Sequence, residues 1–239
     1  MKKFLALAIT AAMLLSFAVI GTSAAEVYDG TSVSASLSGA GTEADPYLIA
    51  NGADLAFFAA NAVAGASYKL TADIVWASAA EATNWTPVEF NGTFDGNGYS
   101  ISGIYSPSEK TNWGIFGSIS GTGVVKNLVL KNSLFTAFGS AAPIAGYNYG
   151  LVSSCRIESS VMIYRDKTSG SGASGITEIR HTTETVDASN QTFTGGIENC
   201  FSNVTFNIFK NNYANLNNSG VITAKMPNRT KVNNNYGIE

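Results

Sequence analysis

The chain is short of charge, histidine and cysteine, and each shortage removes a class of function. Charged residues make up 13% of the 239, against roughly 25% in an average soluble domain. That composition is poor for a helical bundle with a charged surface. Lys and Arg are nowhere clustered, so the electrostatic footprint of a nucleic-acid binder is missing. The formal net charge is −3. A single histidine, His181, excludes the His-Glu-x-x-His helix of a zinc peptidase, which needs two. One histidine does not identify a catalytic triad either, and no serine sits in a Gly-x-Ser-x-Gly elbow. In the polar stretch "IRHTTET" His181 reads as a solvated loop residue rather than a general base. Two cysteines are too few for a disulfide framework, and no cofactor is expected.

What is present is Gly, Ser, Thr, Asn and Ala, residues suited to short strands joined by many turns. The chain opens with Lys2 and Lys3, an apolar run from Phe4 to Ile20, and the small residues "TSAA" before Glu26. This is the pattern of a secretory signal peptide over residues 1–25, although a run of that length could nearly span a bilayer as an anchor. Secretion or cell-surface association is therefore expected, with no membrane segment left after cleavage. Residues 26–41 read as a linker or a first irregular strand. "NGADLAFFAANAVAG" then supplies Asn51 or Asp54 as a cap and a face of Leu55, Phe57, Phe58 and Val63, which predicts a helix over 53–63.

Beyond Thr86 a faint repeat runs through the chain. "YSISGIY", "GVVKNLVL", "GLVSSCRI" and "GGIENCFS" each place a branched aliphatic residue three positions before Ile, Leu or Cys, at offsets of 24, 27 and 45 residues. Stacked as coils, they predict two apolar ladders, Ile101/Val125/Val152/Ile197 and Ile104/Leu128/Cys155/Cys200, with rungs about 4.8 Å apart. No coil of this kind buries its face alone, so the helix is expected to cap the N-terminal end. The long third offset reads as one coil with an insertion, or as two shorter coils. The polar stretch 164–195 is the insertion, yet "GSGASGI" resembles "GSAAPIAG" and suggests a degenerate coil there.

Taken together, "DPYLIANGADLAFFAANAV", "YKLTADI", "GTFDGNGYSISGIY", "GIFGSISGTGVVKNLVL" and "IENC" resemble the opening module of bacterial cell-surface proteins built on right-handed parallel β-helices with GLUG-type repeats. Such modules occur in adhesin-like proteins and beside some immunoglobulin-A-cleaving metallopeptidases. The resemblance covers about residues 39–156 and 195–201. It implies an all-β right-handed parallel β-helix, or solenoid, over residues 42–239, with a short N-terminal capping helix. It does not imply an activity, because a fold alone does not give function.

Paired carboxylates would make a glycoside hydrolase or polysaccharide lyase, the alternative to a binding module. Asp73, Glu89, Asp95, Asp166 and Glu178 are scattered one per coil, whereas such chemistry needs two carboxyls across one cleft, roughly 5–9.5 Å apart. "DGNG" at Asp95–Gly98 fails as a calcium loop, since an EF-hand places glutamate at the twelfth position and Ser106 stands there. Cys155 and Cys200 share a ladder and read either as a disulfide or as stacked buried thiols; zinc would need more ligands. Trp113, Tyr147 and Tyr149, at turn-like positions, are candidate contacts for glycans or extracellular proteins, because Tyr and Trp are enriched at interfaces; packing between turns is the plainer role. The expectation is a non-catalytic, adhesin-like surface module that presents turns on a rigid solenoid.

Overall fold

In the computed structural model the described residues are 25–76, 85–106, 114–137, 142–158, 162–166, 174–179, 196–209, 231–233 and 236–237. They form short parallel strands and one helix, numbered here in chain order, in four sheets. Sheet I runs β1 (Val27–Tyr28), β4 (Ile74–Trp76), β7 (Ser100–Ser102), β11 (Val129–Lys131), β15 (Arg156–Ile157), β19 (Phe201–Ser202) and β22 (Tyr236–Gly237). Sheet II runs β2 (Tyr47–Ile49), β3 (Ser67–Leu70), β6 (Thr93–Asp95), β10 (Val124–Lys126), β14 (Leu151–Ser153), β18 (Gly196–Glu198) and β21 (Lys231–Asn233). Sheet III contains β5 (Val88–Phe90), β9 (Phe116–Ile119), β13 (Ala145–Asn148) and β17 (Thr177–Ile179). Sheet IV contains β8 (Tyr105–Ser106), β12 (Leu134–Ala137), β16 (Met162–Asp166) and β20 (Thr205–Phe209). From β5 to β20 the chain therefore visits sheets III, II, I and IV in one fixed order before starting again. The expected all-β, parallel architecture with one short helix is what the described residues adopt.

The helix, α1, spans Gly52–Asn61, a shift of one residue at its start and two at its end from the expected 53–63. Its start is set by Asn51, whose Oδ1 accepts the Asp54 N–H at 2.9 Å, while Asp54 Oδ2 accepts the Ala50 N–H at 3.0 Å. This reciprocal arrangement satisfies two donors at the helix entrance. Its end is set by Ala62, which has left helical geometry, and by Tyr68, whose hydroxyl takes the Val63 N–H at 2.8 Å. Leu55 and Phe58 are fully buried as the periodicity demands, but Val63 is 54% exposed. It falls beyond the helix and off the face to which the periodicity assigned it.

Helix α1 packs on β1, β2 and β4, the first strands of sheets I and II. Phe58 projects from it into an aromatic cluster, with ring centroids 4.7 Å from Tyr68, 5.2 Å from Phe94, 5.9 Å from Phe90 and 6.3 Å from Phe116. The free edge of β2 is met by an antiparallel bridge from Ser38 to Leu48, which blunts an edge that could otherwise pair with another chain. The stretch 26–41 is thus more than the linker it resembled. Tyr28 is buried on Trp76, with ring centroids 4.4 Å apart, and Gly52 leaves the space it fills: a Cβ there would lie 2.2 Å from Tyr28 Cβ.

The ladders need one correction. Val125, Val152 and Ile197 are in register as expected, and Leu128, Cys155 and Cys200 are all buried just past the corner that follows. The residue in register with Val125 on the preceding rung, however, is Phe94 rather than Ile101. Ile101 belongs to sheet I, between Ile74 and Leu130. Ile104 lies past the next corner, where its N–H reaches Ser133 Oγ at 3.1 Å. The cause is corner length. Asn127, Ser154 and Asn199 each make their corner as a single residue at φ 53°. In the earlier coil the corner is widened to Gly96-Asn97-Gly98, with Asn97 and Gly98 both at positive φ. The aliphatic spacing of "ISGI" imitates the later coils from one strand further on.

The long third offset is a single coil, because Val152 pairs directly with Ile197. Within 164–195, β17 pairs with β13, Ala145 opposite Thr177. The strand after "GSGASGI" is therefore the sheet III passage of that one coil rather than part of a second, degenerate coil.

Candidate functional site

Outward side chains of sheet III form a column, and polar and aromatic side chains of the corner after it lie alongside. Alternation along β5 turns Val88 and Phe90 inward and leaves Glu89 exposed. Register then places Ser118 of β9 beside Glu89, and Tyr147 of β13 beside Ser118. The Ser118 hydroxyl donates to the Glu89 carboxylate. One corner further along the chain, Thr122 Oγ1 donates to Asn91 Oδ1 at 2.7 Å. Tyr149, whose N–H reaches the Ile119 carbonyl as the Ser120 N–H reaches that of Phe90, holds the position of Ser120 on the next rung. The Tyr147 and Tyr149 rings meet edge to face, 6.4 Å apart at 75°. The turns stack this tightly because Gly150 has no side chain: a Cβ there would lie 2.2 Å from the Gly123 carbonyl oxygen.

Of the three aromatic candidates, Tyr147 and Tyr149 are thus brought together, both half-buried, and Trp113 lies outside the described residues. Tyr147 sits on a strand rather than at a turn. Glu89 was legible only as an isolated acid, and Ser118, Asn91 and Thr122 carried no signal. Aligning the coils on Phe90, Ile119 and Asn148, which share one register position, would have brought Glu89 and Ser118 to Tyr147 and Asn91 to Tyr149, but it sets Ser120 rather than Thr122 on the rung between them.

Among the described residues Glu89, Asp95 and Asp73 are not gathered at one cleft. Glu89 belongs to sheet III, Asp95 to sheet II, and Asp73 precedes β4 of sheet I. Asp95 Oδ1 accepts the Asn97 N–H at 2.8 Å and Asn127 Nδ2 at 2.9 Å, and its other oxygen faces Lys126 Nζ at 3.7 Å. The glycine-rich "DGNG" is therefore a corner clipped by its own aspartate. Asp73 Oδ1 accepts both the N–H and the hydroxyl of Ser100, at 2.7 and 2.8 Å. Partial burial opposes its ionisation, but these hydrogen bonds and the Lys131 charge outweigh burial and hold the carboxyl below its ordinary range. Asp166 and Glu178 are placed by backbone only, on β16 and β17, and His181 lies outside the described residues. Among the described residues no three His, Cys, Asp or Glu side chains are grouped to hold a metal ion.

Cys155 and Cys200 are buried thiols on neighbouring rungs, not joined in a disulfide. Their side chains point the same way, as in-register residues of parallel strands do. Cys155 Sγ lies 3.4 Å from the Ser153 carbonyl and 3.8 Å from that of Val125, and Cys200 Sγ 3.2 Å from the Glu198 carbonyl and 3.8 Å from that of Val152, so the nearest acceptor of each thiol is in its own coil. Burial, reinforced by the neighbouring Cys200 sulfur, pushes the Cys155 thiol well above its ordinary range. Native protein is therefore expected to leave an aromatic disulfide reagent uncoloured, and denatured protein to release two thiols per chain. No thiols after denaturation would mean that the pair is bridged.

The chain is 33% identical over 138 residues to halomucin of Haloquadratum walsbyi, covering 51% of this chain and 2% of that protein. It is 31% identical over 131 residues to a Gly-rich membrane protein of Evansella cellulosilytica, covering 50% of this chain and 15% of that one. The chain thus matches only a small part of the length of either relative. No family model matches it, and no solved structure does. Among the described residues no helix is long and apolar enough to cross a membrane.

Proposed function

We propose that the recurrent passage through four parallel sheets is a right-handed parallel β-helix, and that it serves as a secreted, non-catalytic surface module of adhesin-like type. The observation that carries this reading is the in-register stacking of outward side chains over successive coils, which turns single residues into columns that a partner can grip. Parallel crossovers are almost always right-handed, which supports the handedness. The names of the two relatives, a halomucin and a membrane protein, support a place at the cell surface. That the match is confined to a small share of each relative supports a module rather than a whole activity. The resemblance to GLUG-type surface proteins points the same way.

The test uses the full chain, expressed with residues 1–25 in a bacterial host. The protein is expected outside the cytoplasm, labelled on intact cells by a membrane-impermeant amine reagent or recovered from the medium, with Glu26 as its first residue by terminal sequencing. Retention inside the cell with residues 1–25 intact would overturn the proposal. Cleavage of a polysaccharide that disappears on Asp73→Asn or Glu89→Gln would replace it with an enzymatic reading.

A further inference from the structure

We infer that the column Glu89–Ser118–Tyr147, with the Asn91–Thr122 pair and Tyr149 alongside it, forms a binding site for a neutral, hydroxyl-rich polysaccharide lying across the strands. The inference deepens the proposed surface role and rests on it for its biological setting only. Rungs about 4.8 Å apart place the Glu89 and Tyr147 backbones about 10 Å from each other along the same line. A ligand of several repeating units would meet the carboxylate and amide at one end, hydroxyls in the middle and aromatic rings at the other.

The chemistry of these residues narrows the class. An ionised carboxylate only accepts hydrogen bonds; with the Ser118 and Thr122 protons given to Glu89 and Asn91, their hydroxyl oxygens are left as acceptors and the Asn91 amide N–H groups as donors. That set pairs with alcohol groups, which also do both. The edge-to-face tyrosines offer an apolar ring surface with a polar tip, suited to the C–H face of a sugar ring. None of these residues is Lys or Arg, and the chain bears a net charge of −3. Glu89 would repel an anionic polymer, which leaves uncharged sugars as the better match. Existing hydrogen bonds from Ser118 to Glu89 and from Thr122 to Asn91 hold the polar groups in place before any ligand arrives. Such preorganisation reduces the ordering cost of binding.

The test is affinity electrophoresis of the full chain through native gels that contain dextran, mannan, laminarin, hydroxyethylcellulose or polygalacturonate. At least one of the four neutral polymers is expected to retard the protein, and polygalacturonate is not. Tyr147→Ala is expected to weaken the retardation about tenfold or more, the scale of an interface anchor. Glu89→Gln is expected to weaken it less, and Tyr99→Ala, an exposed tyrosine on a different corner, to leave it unchanged. Should Tyr147→Ala fail to fold by circular dichroism, Glu89→Gln carries the comparison. The inference is overturned if none of the neutral polymers retards the protein, if retardation survives in both column variants, or if polygalacturonate binds as well. Loss of sugar binding with correct export would sink this inference and leave the surface role standing. Sugar binding without export would do the reverse.

Discussion

Phe58→Ala is expected to destabilise the protein by about 3–5 kcal/mol, the usual cost of emptying a buried phenylalanine site. Alanine is the best helix former, so the loss cannot come from helix propensity and must come from packing. Phe58 is fully buried and joins α1 to sheet II through Tyr68 and Phe94, and to sheet III through Phe90 and Phe116. Four ring contacts depend on that one side chain. A typical domain has only about 5–15 kcal/mol in total, so this change is a large fraction of it. Urea denaturation is the measurement: the midpoint should fall with little change in slope. Phe57→Ala, at a half-buried position one residue away, should cost about 1 kcal/mol, in line with the common single substitution. Equal effects at the two positions would contradict the capping role of Phe58. Because each coil is held mainly by its neighbours, amide protection in the Phe58→Ala protein should be lost first in β2, β3 and β6.

Gly103→Ala is expected to cost about 2–5 kcal/mol, from two separate causes. Gly103 adopts φ +77°, and an L-residue there costs roughly 1–2 kcal/mol. A Cβ would also lie 2.2 Å from the Trp76 carbonyl oxygen, a backbone atom that moves only with its strand; relieving such overpacking adds roughly 1–3 kcal/mol. Trp76 is itself held by Tyr28 and by Trp85, whose ring centroid is 5.2 Å away. The disturbance would therefore spread through sheet I. Asn132, at the matching corner of the next coil, also has positive φ, at 47°. Asn132→Gly should change stability by no more than about 1 kcal/mol, since glycine takes that geometry without steric cost. Thermal melts of the two variants provide the check. A Gly103→Ala protein as stable as the wild type would mean that the corner adjusts freely.

The two substitutions bracket what could be read from the chain. Leu55 and Phe58 announced themselves by helical spacing next to a capping asparagine, and both are buried where that spacing puts them. Gly103 had no such voice. "SISGIY" looked like one rung of the later pattern, and only pairing with Ile74 and Leu130 showed that its glycine turns the corner between sheets I and IV. Tyr147 shows the same limit from the functional side. Its aromatic character marked it as a candidate, but its neighbours Ser118 and Glu89 come from two earlier coils. Nothing local to any of the three predicts that they share a column.

By itself the sequence determined the local choices. Low charge and abundant small polar residues dictate short strands and many turns, branched residues three apart repeat along the coils, and Asn51 with Asp54 starts the helix. These follow from properties that act over a few residues: side-chain alternation, capping and the ease with which Asn and Gly take positive φ. Only the tertiary structure decided register. Which residues lie on one rung depends on how many residues each corner consumes, and the Gly96-Asn97-Gly98 corner consumes more than its later counterparts. A parallel sheet links residues that are a whole coil apart, and its energy lies in stacking complete rungs. The alignment of Phe94 with Val125, the unbridged thiols of Cys155 and Cys200, and the meeting of Glu89, Ser118 and Tyr147 are set by that stacking and by nothing nearer in the chain.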